Sequence, residues 1–211
     1  GLRNVEHTSF VRDATRTDIN VDQQHGVAVS FANELVRTEV MAVLGNYQIR
    51  PDAVRERGYA GFVEVLPIEH LGVGASSLLT WAGRDLDMGA PLLRQVHGVF
   101  ARYAPLEQLV LLFEADGLVD TAYDAAGSGT TTVGGASWLQ ADWTVLPSVH
   151  LLPALEAVTH GDSKAAGWLG VAWYPLPHTE LRADAIYRQT FAATGGSTGA
   201  FIGLAQLHLY L

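Results

Sequence analysis

The sequence predicts an all-β chain folded as an antiparallel up-and-down barrel of about twelve membrane-crossing strands. Three observations carry that prediction. Apolar and polar residues alternate with period 2 over most of the length, whereas a 3.6-residue period is hard to find. Short turn signals alternate with longer polar loops. Aromatic residues cluster at both ends of the apolar faces.

The alternation is clearest in four stretches. Val36, Thr38, Val40, Ala42 and Leu44 share one face opposite Arg37, Glu39 and Met41. Leu109, Leu111, Phe113 and Ala115 oppose Gln108, Glu114 and Asp116. Leu139, Ala141, Trp143 and Val145 oppose Gln140, Asp142 and Thr144, while Leu181, Ala183, Ala185 and Tyr187 oppose Glu180, Arg182, Asp184 and Arg188. Each reads as a strand with one apolar and one frankly polar face. Tight turns are expected at Asn33-Glu34, Pro67-Ile68, Pro105-Leu106, Pro147-Ser148 and Pro175-Leu176-Pro177. Longer loops are expected over 12–24, 46–57, 82–93, 117–131, 159–164 and 190–198.

In chain order the predicted strands are Leu2–Val11, Gly26–Ala32, Leu35–Gly45, Gly58–Leu66, His70–Trp81, Gln95–Tyr103, Leu106–Asp116, Ser137–Leu146, Val149–Val158, Gly167–Tyr174, Thr179–Gln189 and Gly199–Leu211. At about ten residues each they have the length a tilted strand needs to cross hydrocarbon. Leu2–Val11 separates least cleanly into two faces. An even number of strands would let the sheet close on itself, and the chain is read as a single barrel domain over residues 1–211. Of the outward aromatics, Phe31, Tyr103, Trp143 and Trp173 lie near tight turns, and Tyr59, Trp81, Tyr187 and Phe201 near loops. Two such girdles suit the two headgroup levels of a bilayer.

Composition excludes other classes. Of 211 residues, 17% are charged and 48% hydrophobic, yet no run of about 20 apolar residues exists to make a spanning helix. The 13 basic residues against 22 acidic ones give a net charge of −9, which argues against nucleic-acid binding. With no Cys, disulfides, thiolate zinc sites, iron–sulfur clusters and thioether-linked haem are out. The eight His are scattered, with no metal-binding spacing, so no metal or cofactor is expected.

The last predicted strand alternates Phe201, Gly203, Ala205, Leu207, Leu209 and Leu211 with Ile202, Leu204, Gln206, His208 and Tyr210. This resembles the terminal β-signal of Gram-negative outer-membrane β-barrel proteins, although that pattern usually ends in an aromatic residue, most often Phe, and this chain in Leu211 with Tyr210 just before. The resemblance implies a porin-like barrel in the outer membrane of a Gram-negative bacterium. Its partners would be outer-membrane lipids and the barrel-assembly machinery that reads the last strand. By the same convention the short turns face the periplasm. The opening, with Gly1-Leu2-Arg3, His7-Thr8-Ser9-Phe10 and Arg12, is similar to an interior strand of larger porin-like barrels, which implies the C-terminal part of a bigger barrel.

With the apolar faces on lipid, the polar faces line a lumen. The expected lining is Arg37, Glu39, Glu64, Arg102, Glu114, Asp116, Asp142, Glu156, Arg182, Asp184 and Arg188. So many charges need water or a salt-bridge network. Arg37/Glu39 and Arg182/Asp184, each two apart on one face, are expected to pair. Gly26, Ala28, Ser30 and Ala32, with Gly72, Gly74 and Ser76, make small inward faces that either leave space or suit a tightly curved wall.

The expected function is passive passage of small hydrophilic solutes or ions, leaning to cations through the acidic excess. The alternative is a non-conducting barrel that sheathes an envelope partner. A lipid hydrolase is the third reading, on outward Ser77 and His97 or on His7 and Ser9. Neither pair has an evident orienting group, and no catalytic residue is assigned. Asp116, Asp120 and Asp124 do not match a calcium-loop spacing, and Gly127-Ser128-Gly129 lacks a following Lys.

Overall fold

The computed structural model describes residues 9–16, 25–45, 54–85 and 88–210. It contains one short helix, α1 (Phe10–Thr15), and eleven strands: β1 (His25–Ala32), β2 (Val36–Gly45), β3 (Arg57–Ile68), β4 (Leu71–Ala82), β5 (Leu92–Leu106), β6 (Leu109–Tyr123), β7 (Gly129–Leu146), β8 (Val149–His160), β9 (Asp162–Leu176), β10 (Thr179–Phe191) and β11 (Ser197–Leu209). Every strand pairs antiparallel with its chain neighbour in one sheet ordered β1 to β11. This is the up-and-down meander that the period-2 alternation predicted.

The period also fixes the faces. Outward residues such as Val40, Val63, Val99, Phe113, Leu139, Leu155 and Leu169 are exposed. Their neighbours Glu64, Arg94, Asp116, Gln140, Glu156, Arg182 and Asp184 are buried, the reverse of a water-soluble sheet. The short turns are built on backbone the sequence can adopt. Pro147-Ser148 and Pro177-His178 put a fixed-φ proline before a left-handed residue (Ser148 φ 66°, His178 φ 63°), the order a type II turn requires.

The strand map corrects the start of the chain. Phe10 and Val11, placed in a first strand spanning Leu2–Val11, belong to α1, and residues 1–8 of that span lie outside the described residues. Ser9 caps the helix, its Oγ accepting from the Arg12 N–H at 3.2 Å. The described strands number eleven, in keeping with the expected meander of about twelve. An odd count makes β1 and β11 run in the same direction, and no ladder joins them among the described residues.

The loops expected over 117–131 and 159–164 are shorter than expected because the ladders run on through polar sequence. β6 and β7 pair from Leu109↔Trp143 as far as Tyr123↔Gly129, leaving Asp124–Ser128 as the turn. Gly161 alone separates His160 from Asp162. Gly, Thr and Asp read as loop residues, but above the apolar band a strand needs no alternation to stay hydrogen-bonded. Asp124 makes the turn by accepting from the N–H groups of Ala126 and Ser128.

The buried apolar cluster lies inside the sheet's concave face. Val96, Leu118, Ala136, Trp138, Ala154, Val158, Ala166, Trp168 and Ile186 pack around Val11 of α1. Trp138 and Trp168 meet edge to face at 5.6 Å. The inward face beside α1 thus interleaves this apolar cluster with Glu114, Asp116 and Glu156, which pair in register with Trp138, Ala136 and Ala166, a mixture that a reading of charged residues alone missed.

Candidate functional site

Helix α1 sits in the concavity against the wall made by β6 to β9. Glu156 of β8 anchors it. One carboxylate oxygen accepts from the Val11 N–H at 3.1 Å, and the other from the Trp168 indole N–H at 3.0 Å. The Phe10 ring carries the Arg188 guanidinium at 4.7 Å and the Lys164 ammonium at 5.3 Å from its centroid, contacts of the cation–π kind. On the opposite flank, Arg12 reaches Glu114 with two bonds of 3.1 and 2.9 Å, the bidentate geometry that favours a fixed guanidinium.

Open space borders α1. A cavity of about 620 Å³ on the turn side is lined by Arg12, Arg37, Phe62, Glu64, Phe100 and Arg102 among others. A second of about 230 Å³ shares Arg12, Phe62, Ser76 and Glu114 with it and continues past Thr15. On the loop side about 360 Å³ opens beside Asp13, Arg16, Asp85, Arg94, Asp120 and His160. A further cavity of about 820 Å³ lies near the turns of β8 to β11, against Asp142, His150, Tyr174, Glu180, Arg182 and His208.

The expected lining residues all face this concave side, in three settings. Arg37, Arg102 and Glu64 meet in one cluster: Glu64 accepts from Arg102 Nε at 2.5 Å and Nη2 at 3.2 Å, and from Arg37 Nη1 at 3.2 Å. Arg37 thereby pairs across the sheet, while Glu39 accepts from the Ser30 hydroxyl at 2.6 Å, so the expected Arg37/Glu39 pair is replaced by longer-range partners. Gly72 makes room for this cluster, because a Cβ there would overlap Glu64 Oε1 and crowd Arg102. Gly98 likewise makes room for the Asp116 carboxylate. The small inward residues of β4 and β5 therefore accommodate neighbouring side chains.

Arg182 and Asp184 do pair on one strand, Nε to carboxylate at 2.9 Å, and both are buried. Asp142 holds His150 at 2.7 Å. Glu156 and Arg188 lie under α1. Near the loops Arg94 gathers Glu56 at 2.9 Å with Asp85 and Asp120 at 3.8 Å, a knot absent from the sequence-based lining. Its signal was Arg94 sharing the inward face with Val96 and Arg102.

On the outer face, Phe31, Tyr59, Trp81, Tyr103, Trp143, Trp173, Tyr187 and Phe201 are all exposed. Ser77 and His97 face each other across β4 and β5, with Ser77 Oγ to His97 Nδ1 at 3.0 Å and the Tyr59 hydroxyl 3.2 Å from the same oxygen. The outward residues of β3 to β6 include no carboxylate to orient the imidazole. His7 lies outside the described residues, and Ser9 caps α1. Asp116, Asp120 and Asp124 are spread along β6 and its turn, and no cluster able to hold a metal occurs among the described residues.

No protein-family model and no curated protein matches the chain. Solved structures do. The outer-membrane channel DcaP of Acinetobacter baumannii is similar over 89% of this chain at 12% identity, with a TM-score of 0.69. OmpT, an outer-membrane protein of Vibrio cholerae, is similar over 88% at 11% identity, with a TM-score of 0.70 for its form lacking loop L8. In vitro folded OmpT gives 10% identity and a TM-score of 0.68. The chain spans 62%, 62% and 64% of those structures, under two thirds of each. The fold is that of outer-membrane β-barrels.

Proposed function

We propose that this chain forms part of an outer-membrane barrel that passes small hydrophilic solutes or ions by diffusion, with α1 narrowing the way. The observation that carries this reading is charged, open space bordering α1 on both its turn side and its loop side. A structural plug alone would need only the apolar seat around Val11. Here charged groups at both levels give a polar solute surfaces to exchange hydration against.

The outer face supports the setting. Its exposed Val, Leu and Phe residues match hydrocarbon, and its eight aromatics match the headgroup levels, so outer-membrane lipids are the proposed surroundings. The alternation of β11 supports reading it as the segment recognised by the assembly machinery. β1 and β11 run the same way, so antiparallel closure takes an odd number of further strands; unpaired edges in lipid cost several kcal/mol per group. The share of DcaP and OmpT outside the match leaves room for such strands, which supports the reading as part of a larger barrel.

A sheath for an envelope partner is the competing reading, favoured by the close seating of α1 on the Trp138–Trp168 wall. Single-channel recording separates the two. Ohmic steps support passage, and an inserted but silent protein supports the sheath.

A further inference from the structure

We propose that the 620 Å³ cavity on the turn side of α1 holds a small organic carboxylate in transit, bound by Arg37 and Arg102. The proposal rests on the channel reading and names the solute class. Its basis is a charge imbalance that the net charge of −9 conceals. The charged side chains on this cavity are Arg12, Arg37, Arg102, Glu64 and Glu114. Arg12 and Glu114 neutralise each other through their two bonds. Glu64 stands alone against two guanidiniums, which leaves one positive charge over.

Exposure gives that charge a direction. The Glu64 side chain is 4% exposed, whereas Arg37 is 49% and Arg102 43% exposed. A visiting solute meets the cations and not the anion beneath them. Donor counting agrees. Toward Glu64, Arg37 uses Nη1, and Arg102 uses Nε and Nη2. Nε and Nη2 of Arg37 and Nη1 of Arg102 remain available to a carboxylate, whose two oxygens match guanidinium donors.

The rest of the lining selects the body of the anion. Phe62 and Phe100 meet edge to face at 6.3 Å beside the arginines, with Leu112 and Trp138 on the same cavity. Inorganic anions gain nothing from those rings, whereas a carboxylate with an apolar or aromatic body does. The volume lies within the range of small-molecule sites. Half-exposed arginines keep their water, which holds the affinity low enough for release.

The test is binding of 4-fluorobenzoate to the detergent-solubilised protein, followed by fluorine NMR line broadening, with neutral 4-fluorobenzamide as the control. Benzoate broadening well beyond that of the amide is expected, weakening as KCl rises from 50 to 500 mM. Arg37→Gln removes the surplus charge but leaves the Arg102–Glu64 pair, and it should weaken benzoate binding roughly tenfold or more. Arg37→Lys should keep most of it. Equal broadening by acid and amide, or binding indifferent to both salt and Arg37→Gln, would overturn the proposal. Planar-bilayer conductance in KCl alone is read separately. Current without benzoate binding rejects the carboxylate slot and keeps the channel, while binding to a silent barrel rejects the channel and keeps the slot.

Discussion

Replacing Glu156 by Ala should release α1. The carboxylate accepts the buried Val11 N–H at 3.1 Å and the Trp168 indole N–H at 3.0 Å, and the residue is itself buried. Alanine leaves both donors without an acceptor, at about 1–3 kcal/mol each, or roughly 2–6 kcal/mol in all. What remains to hold the helix is the burial of Val11, about 1.5–3 kcal/mol, the Phe10 contacts with Arg188 and Lys164, the Asp13–Lys164 pair and the partly exposed Arg12–Glu114 bridge. Even the lower figure raises the undocked-to-docked ratio about thirtyfold. Two assays read it: cleavage after Arg12 or Arg16 by trypsin added to reconstituted protein, and single-channel conductance. Faster cleavage and larger or noisier steps are expected. Unchanged protection and conductance in a folded Glu156→Ala protein would refute the claim that α1 is held in the lumen by this carboxylate.

Other substitutions probe the remaining levels. Arg94→Gln removes the guanidinium that joins Glu56, Asp85 and Asp120; a loss of about 3–5 kcal/mol is expected, read as a lower temperature of heat-modifiable gel migration. Leu139→Arg puts a charge on the exposed outer face of β7, which should cost about 2–4 kcal/mol near the bilayer midplane in denaturant unfolding from vesicles. A change near zero would mean that this face meets water. Ser77→Ala should leave phospholipid turnover in vesicles unchanged from the parent protein, because the outward residues of β3 to β6 offer His97 no orienting carboxylate.

Much of the fold was legible because a barrel wall obeys one rule, period 2, from end to end. Val40, Phe113, Leu139 and Leu181 fell on the outer face and Glu64, Asp116 and Arg182 on the inner one from alternation alone. The Ser77–His97 register followed from symmetric pairing about one loop. Helix α1 escaped because it is six residues long, too short to display a period. Its signal was local: Ser9 as N-cap, then Val11 and Thr15 four apart and both buried. The Arg37–Glu64–Arg102 cluster could not be read from spacing, since its members come from β2, β3 and β5. It depends on Gly72 clearing space on β4, an inward glycine that sequence alone left equally explained by wall curvature.

The most direct test of the central claim is single-channel recording of the purified protein in a planar bilayer with symmetric KCl. Passage alongside α1 predicts discrete, ohmic steps that grow in Glu156→Ala. A parent protein that inserts with native heat-modifiability yet carries no current would contradict the channel and leave the sheath as the function of the barrel.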